Sequence, residues 1–231
     1  TLVVAGADVI IVSRDTPANR AFAAELAGIG ECRFSGHDLA NSAGVDGAAT
    51  AIGDMADAVH ILVNNAGTFT AAPLGDVDMD AWDRELAMNL RAPFQLAQAL
   101  LPKLRVAAQP DDPARVINIG SIAGLWAKSS QAYAYGASKA GLHHLTRMLA
   151  SDLTRKRITV NAIAPGFFPS GMTDGFFEAV PGLKEQMIES IPAQRLGTRD
   201  DIGGAVLFLA SRAGAYLSGT ILPLEGALWS A

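Results

Sequence analysis

The stretch QAYAYGASKAG, residues 131–141, carries two tyrosines and a lysine at spacings that allow proton chemistry. The sequence from about residue 134 predicts a helix, in which side chains four residues apart lie on one face. Tyr135 and Lys139 form such a pair, whereas Tyr133 has only Ala137 at that spacing. An ammonium favours a nearby phenolate, so we expect Lys139 to lower the pKa of Tyr135 and to fit it for proton exchange with a carbonyl or an alcohol. The alternative is an ordinary pair of side chains on a helix surface.

Short apolar runs alternate with longer stretches rich in alanine and leucine, a pattern typical of βαβ units and a parallel sheet. Strands without polar interruptions indicate a sheet covered on both faces. The last predicted helix opens with a capping signal, Thr198 followed by Asp201. The predicted strands are 8–13, 31–36, 60–65, 114–120, 158–164 and 219–224, and the predicted helices are 17–28, 42–58, 79–104, 134–156 and 199–210.

Polar or turn-forming residues follow each of the first five predicted strands. Ligands of open parallel sheets bind beyond the carboxyl ends of the strands. Any one of these segments could be a turn alone, but five in register predict a ligand site along one edge of the sheet. The segments are Ser13-Arg14-Asp15, His37-Asp38-Leu39, Asn64-Asn65-Ala66-Gly67, Gly120-Ser121 and Pro165-Gly166.

The composition excludes several classes of function. The 231 residues are 50% hydrophobic, which suits a single domain, and their net charge of −5 provides no basic surface for nucleic acid or an anionic membrane. No apolar run reaches the roughly 18 to 20 residues that span a bilayer, and the first residues do not resemble a signal peptide. A single cysteine suggests a reducing compartment, so we expect a cytoplasmic protein. His143 and His144 lack clustered metal ligands, and we predict no metal site.

Five short motifs occur together and in order. They are NNAG at 64–67, MNL at 88–90, INIGSIAG at 117–124, YGASK at 135–139 and VNAIAPG at 160–166. The set resembles the short-chain dehydrogenase/reductase family over essentially the whole chain, and most closely its 3-oxoacyl-carrier-protein reductase branch. The resemblance implies a Rossmann-like, doubly wound parallel sheet in one domain, 1–231, and an NAD(P)-dependent oxidoreductase.

The resemblance also implies four catalytic residues. Tyr135 would be the general acid or base, and Lys139 would lower its pKa and hydrogen-bond the nicotinamide ribose. Ser121 would polarise the substrate carbonyl, its alternative role being a turn cap. Asn89, a poor helix former within a predicted helix, would hold a water that links Lys139 to solvent. The alternative for Asn89 is a tolerated polar residue on the surface.

Cofactor contacts follow from the same motifs. Asn64 is expected to tie neighbouring strands together instead of binding the cofactor. The resemblance gives the adenosine ribose, the adenine and the nicotinamide separate partners, besides Tyr135 and Lys139. They are the backbone of Asn65, Ala66 and Gly67 for the ribose, Asp38 and the Leu39 backbone for the adenine, and Pro165, Gly166, the Phe168 backbone and the Ser170 hydroxyl for the nicotinamide end.

The segment after the first strand bears on the choice between NADP(H) and NAD(H). An acidic residue at this position binds the ribose 2′-hydroxyl of NAD, whereas a nearby arginine accommodates the 2′-phosphate of NADP. Ser13 occupies the acidic position and Arg14 follows it, so NADP(H) is favoured over NAD(H). The alternative has Arg14 solvated and Asp15 turned towards the ribose.

One family feature is missing from the sequence. The pattern should begin with a strand and a glycine-rich loop that leads into the N-terminus of a helix, where the pyrophosphate lies. The sequence matches only the end of that helix onwards. Because a missing central strand would expose two sheet edges, we expect roughly 25 upstream residues to belong to the protein.

Residues 167–195 match the segment that forms a substrate lid in this family. Its apolar side chains, Phe167, Met172, Phe176, Phe177 and Met187, favour an apolar carbonyl such as a 3-oxoacyl thioester. The resemblance implies a homotetramer. We therefore expect an NADPH-dependent reductase of a small carbonyl substrate; the alternatives are an NAD-dependent alcohol or sugar dehydrogenase and a non-catalytic dinucleotide sensor.

Overall fold

The computed structural model describes residues 1–127, 131–169 and 181–229. Its strands and helices alternate as the apolar pattern predicts. The strands are β1 Val9–Ser13, β2 Cys32–Gly36, β3 Ile61–Asn64, β4 Ala114–Ile119, β5 Ile158–Pro165 and β6 Ile221–Leu224. The helices are α1 Pro17–Ala27, α2 Ser42–Met55, α3 Met79–Leu86, α4 Ala92–Ala99, α5 Leu101–Ala107, α6 Tyr133–Leu153, α7 Leu183–Ser190 and α8 Arg199–Ala210. Short 3₁₀ turns cover Leu74–Asp76, Ile122–Gly124, Thr154–Lys156 and Arg212–Gly214, and a π-helical turn covers Ala87–Arg91.

All strand pairs are parallel, and they form two ladders. One ladder joins β1 to β2, and the other has the order β3-β4-β5-β6. Within the described parts of the chain no ladder joins β1 to β3. The family resemblance places a further strand between these two, and this placement stays a prediction.

The core lies around β4 and β5, which are buried along almost their whole length. Helix α2 and helices α4 to α6 contribute apolar side chains to it, among them Val45, Leu104 and Leu142. The expectation that every strand is covered on both faces is wrong for β1, β2 and β6, most of whose residues are only half-buried. In the described parts of the chain each of them pairs with one strand, and its other edge has no neighbouring strand.

The prediction of a single helix over 79–104 is wrong. This segment is divided into α3, the π-helical turn, α4 and α5. Pro93 and Pro102 each lie in the first turn of a new helix, where a proline costs no hydrogen bond. Helix α7 lies within the segment predicted as a lid and was not foreseen. Part of that lid, including Met172, Phe176 and Phe177, falls outside the described residues.

Helix α6 buries one face against β4 and β5, with small and polar residues at helical spacing along that face. A chain of buried amides joins the helix to the sheet. Asn64 donates to Asn118 Oδ1 at 2.8 Å, and Asn118 in turn donates to Thr146 Oγ1 at 2.9 Å. The first hydrogen bond confirms that Asn64 ties β3 to β4, and the second joins β4 to helix α6.

The capping box predicted at residue 198 is present. The Thr198 hydroxyl accepts from the Asp201 N–H at 3.2 Å, and the Asp201 carboxylate accepts from the Thr198 N–H at 2.8 Å. We predict that Thr198→Ala lowers the free energy of unfolding by about 1 kcal/mol, because an N-terminal N–H of α8 loses its acceptor. Urea unfolding measures the loss. Thr50→Ala, which removes an exposed mid-helix hydroxyl, is the control, and equal stabilities for the two variants would contradict the prediction.

Candidate active site

The structure brings Tyr135, Lys139, Ser121 and Asn89 together where β4 ends and α6 begins. Tyr133 and Tyr135 both lie in the first turn of α6, but their surroundings differ. Tyr133 is exposed, whereas the Tyr135 ring meets Phe69 edge-on at 5.1 Å between ring centroids. Tyr135 is therefore the tyrosine that belongs to the site.

Lys139 carries its amine into the interior of the protein. The residue is 4% exposed, and Nζ donates to the backbone oxygen of Ile119, the last residue of β4, at 2.8 Å. Nζ also lies 5.6 Å from the centroid of the Tyr135 ring. Burial lowers the pKa of Lys139 to about 8, so the side chain is mainly an ammonium at neutral pH.

The expectation that the pKa of Tyr135 lies below its ordinary value is wrong for the described structure, in which that pKa is raised. Burial of the phenol is the main cause, because it penalises the phenolate, and the Glu85 carboxylate adds to the effect. A hydrogen bond with the Ser121 side chain acts in the opposite direction. Tyr135 is thus held as the neutral phenol, the form that can donate a proton.

Ser121 takes the role of a turn cap, and its predicted role in polarising a substrate carbonyl stays a prediction. It follows β4 by two residues, and its hydroxyl caps the 3₁₀ turn by accepting from the Ala123 N–H at 3.1 Å. The same side chain is hydrogen-bonded to Tyr135. One hydroxyl therefore fixes the local turn and lies beside the phenol.

Asn89 is fully buried in the π-helical turn, so the alternative of a tolerated surface residue is wrong. Its Oδ1 accepts from the Thr68 N–H, and its Nδ2 donates to the backbone carbonyl oxygen of Thr68, both at 2.9 Å. Nδ2 also donates to Ser138 Oγ at 3.1 Å, and the Ser138 hydroxyl donates to the backbone carbonyl oxygen of Tyr135 at 2.8 Å. Asn89 thus joins the loop after β3 to helix α6, and its predicted role in holding water stays a prediction.

The loop after β3 passes close to this cluster. A Cβ atom at Gly67 would lie 3.2 Å from Asn89 Oδ1 and 3.7 Å from Lys139 Nζ, which leaves little room for a larger residue. Asn65 and Ala66 before it are exposed. The backbone of this loop is therefore open to a ligand at the edge of the sheet.

The remaining predicted cofactor residues lie on the same edge or outside the described residues. Pro165 ends β5, and the Gly166 N–H donates to Leu224 in β6 at 2.9 Å. The Phe168 ring lies over Gly197, where a Cβ atom would come within 2.3 Å of it. Ser170 is outside the described residues.

The end of β1 carries the residues on which the predicted choice between NADP(H) and NAD(H) depends. Arg20 binds both carboxylate oxygens of Asp15 at 2.5 Å. Arg14 has no ion-pair or side-chain hydrogen-bond partner in the described structure, and the buried Ser13 Oγ has none either.

The predicted adenine contacts follow β2. Asp38 Oδ1 accepts from the Ala40 N–H, the Asp38 carboxylate lies 3.6 Å from the Arg84 guanidinium, and Leu39 packs into the core.

Sequence reasoning missed one titratable group in the site, Glu85. It lies on α3 four residues before Asn89, and it is fully buried. Its carboxylate accepts from the Thr70 hydroxyl at 2.5 Å and from the Thr70 N–H at 3.2 Å. The available signal was an acidic residue one helical turn from Asn89, on the face that carries the predicted catalytic amide.

Known proteins of similar sequence and structure point to one family. Residues 1–227 match the family model described as enoyl-(acyl carrier protein) reductase. The rhamnolipids biosynthesis 3-oxoacyl-[acyl-carrier-protein] reductase of Pseudomonas aeruginosa is 43% identical over 225 residues, which cover 97% of this chain and 88% of that protein. The solved RhlG/NADP active-site complex from the same species has a TM-score of 0.94 and 43% identity, over 98% of this chain and 88% of the other. A gluconate 5-dehydrogenase from Burkholderia cenocepacia, solved with NADP and tartrate, has a TM-score of 0.90 and 29% identity, over 100% and 88% of the two chains.

The fold, the site and these matches define a Rossmann-like oxidoreductase. The chain belongs to the short-chain dehydrogenase/reductase family. Among the described helices none is long and apolar enough to cross a membrane.

His143 lies beneath the turn that carries Ser121. It is 2% exposed, and a Cβ atom at Gly120 would meet its Nε2 at 2.1 Å. Burial lowers the pKa of His143 to about 4. Unfolding restores the ordinary value of 6.5, so below that pH the unfolded chain binds a proton that the folded chain does not.

We predict that His143→Gln reduces the loss of stability on acidification. In the parent protein this histidine lowers the free energy of unfolding by up to about 3 kcal/mol as the pH falls from 6.5 towards 4. Melting temperatures measured across this range should therefore fall less steeply for the variant. His144→Gln, which changes the exposed neighbour, should follow the parent curve; equal slopes for His143→Gln and the parent would contradict the assignment.

Proposed function

We propose that this protein is an NADPH-dependent reductase of an apolar carbonyl, with a 3-oxoacyl thioester as the favoured class of substrate. The observation that carries the proposal is the position of Tyr135 beside Ser121 and the buried Lys139, whose Nζ lies 5.6 Å from the centroid of the phenol ring. A neutral phenol beside a hydroxyl and an ammonium suits proton donation to a carbonyl oxygen that gains negative charge.

The residues of the chain divide the work of this reduction. Bound NADPH would supply the hydride that the carbonyl carbon accepts. Ser121 donates a hydrogen bond to the carbonyl oxygen, and Tyr135 transfers its phenolic proton to that oxygen. Lys139 stabilises the resulting phenolate by its positive charge, and Asn89 keeps the loop and the helix in register during the transfer.

The edge of the sheet fits NADPH on two observations. The open backbone at residues 65–67 leaves space for the ribose, because Gly67 carries no side chain there. At the end of β1, the Arg14 guanidinium and the Ser13 hydroxyl have no partner among the described residues, which suits a 2′-phosphate, while Asp15 is paired with Arg20. Asp38 and Leu39 would flank the adenine, and Pro165, Gly166 and Phe168 would lie at the nicotinamide end.

The preference for an acyl thioester is supported by the relatives. The curated relative at 43% identity is named as a 3-oxoacyl-carrier-protein reductase, and the family model also bears the name of an acyl-carrier-protein reductase. The half-buried Phe167 and Met187 agree with an apolar lid over the site. A homotetramer in the cytoplasm remains part of the proposal.

A second candidate is oxidation of a sugar acid or another alcohol. The likeness to gluconate 5-dehydrogenase favours it, because that enzyme was solved with NADP and the hydroxy acid tartrate. A panel of 3-oxoacyl thioesters, simple ketones and sugar acids, followed by NADPH absorbance in both directions, distinguishes the two. A non-catalytic sensor would need no buried acid, and absence of turnover with the whole panel would favour it.

We predict that Tyr135→Phe lowers kcat for carbonyl reduction by roughly 10²- to 10⁴-fold, because the proton donor is lost. The dissociation constant for NADPH, measured by fluorescence titration, should change little. Tyr133→Phe removes the neighbouring exposed hydroxyl and should keep parental activity. Sustained turnover by Tyr135→Phe on a substrate of the parent would exclude the mechanism.

We predict that Arg14→Gln raises KM for NADPH about tenfold or more and leaves KM for NADH nearly unchanged, because one charged contact to the 2′-phosphate is lost. Steady-state kinetics with each cofactor measure the change. Arg105→Gln, an exposed change on α5, controls for the net charge. If Arg14→Gln weakens NADPH and NADH equally, the 2′-phosphate assignment is wrong.

A further inference from the structure

Glu85 is a buried acidic group for which the mechanism above has no use. It is fully buried on α3, and α3 packs against the catalytic helix α6. A buried carboxylate is costly unless hydrogen bonds or opposite charges compensate it. Its surroundings supply both kinds of compensation, and both belong to the active site.

The first compensation comes from the loop after β3. Both Thr70 donors, the hydroxyl and the N–H, point at the Glu85 carboxylate. Two residues earlier, Asn89 holds both backbone groups of Thr68. Phe69 lies between these anchors, and its ring packs edge-on against Tyr135. Glu85 and Asn89 thus clamp the loop on both sides of the residue that contacts the phenol.

The second compensation is electrostatic. Burial raises the pKa of Glu85, and the hydrogen bonds from Thr70 and the charge of Lys139 counteract that rise. Burial lowers the pKa of Lys139, and the charge of Glu85 counteracts that fall. Glu85 also disfavours the Tyr135 phenolate. The titratable groups of α6 that interact with Glu85 are therefore Lys139 and Tyr135. The loop 67–70 contains no titratable side chain, and the neighbours of Glu85 on α3, Asp83 and Arg84, are exposed.

We propose that Glu85 is a positioning residue of the proton-transfer centre, which holds loop 67–70 against Tyr135 and keeps a negative charge facing Lys139. This inference rests on the proposed reductase function. Its effect is to keep Lys139 an ammonium and Tyr135 a phenol at higher pH than they would be without it. Because reduction needs both protonated forms, Glu85 extends the pH range of reduction to the alkaline side.

The charge is tested by Glu85→Gln, which retains the size of the side chain and can still bond both Thr70 groups. The alkaline limb of the pH profile of kcat/KM for reduction should move to lower pH by about one unit, the size expected from one nearby charge. Asp83→Asn removes an exposed charge from the same helix and should leave the limb in place. A Glu85→Gln profile that superimposes on that of the parent would overturn the inference.

A readout without turnover separates this inference from the proposed function. Tyrosinate absorbance of Glu85→Gln and of the parent, each corrected by the same protein carrying Tyr135→Phe, reports the ionisation of Tyr135. We expect this ionisation at lower pH in Glu85→Gln. If the parent reduces no carbonyl but the tyrosinate absorbance of Glu85→Gln shifts, the proposed function is wrong and the electrostatic role of Glu85 is supported. If the parent is active but neither the absorbance nor the pH profile of Glu85→Gln shifts, the proposed function is unaffected and the electrostatic role is excluded.

The clamp is tested by Thr70→Val, which removes only the hydroxyl and retains the charge of Glu85. We expect kcat to fall severalfold without movement of the alkaline limb, because the loop and Phe69 are less well held against Tyr135. Thr70→Ser, a separate variant that retains the hydroxyl, should have the parental kcat. If Thr70→Val has the parental kcat, the positioning part of the inference is wrong, whatever the folding yield of the Glu85 variant.

Discussion

The buried ammonium of Lys139 is the constraint on which the rest of the site depends. A charge removed from water needs close partners, and Nζ has the carbonyl oxygen of Ile119, at the end of β4, and the electrostatic influence of Glu85. The first partner requires β4 to end at Ile119, and the second requires α3 to pack against α6. The Lys139 ammonium is therefore stabilised by the end of strand β4 and by helix α3.

The π-helical turn at Ala87–Arg91 solves a related problem. An extra residue in one turn of a helix changes the direction of its side chains, and such turns are frequent at functional sites. Here the turn places the Asn89 amide against both backbone groups of Thr68 and against Ser138. A loop that would otherwise expose unsatisfied backbone groups is thereby fixed beside the phenol.

Much of this arrangement could be predicted from the sequence, because it depends on local pattern. Strand positions followed from apolar runs, and the choice of Tyr135 over Tyr133 followed from helical spacing to Lys139. The capping box at Thr198 is likewise encoded in four consecutive residues. Each of these features involves neighbours in sequence or the regular period of one element.

The features that could not be predicted depend on tertiary packing. The direction of the Tyr135 pKa shift follows from burial, which the spacing to Lys139 does not report. The π-helical turn at Ala87–Arg91 carries an amide whose partners lie on a distant loop, and the role of Glu85 depends on Thr70, fifteen residues away in sequence. Helical spacing places Glu85 on the same face as Asn89, but it does not report that the Glu85 carboxylate is buried.

The central claim is that Tyr135 gives its proton to the substrate oxygen. A crystal structure of the protein with NADP⁺ and a 3-hydroxyacyl thioester tests this geometry directly. We expect the hydroxyl oxygen of the bound thioester to lie within hydrogen-bond reach, about 2.6–3.2 Å, of both the Tyr135 and Ser121 hydroxyls. A substrate oxygen bound by other groups, with Tyr135 beyond hydrogen-bond reach in the closed complex, would contradict it.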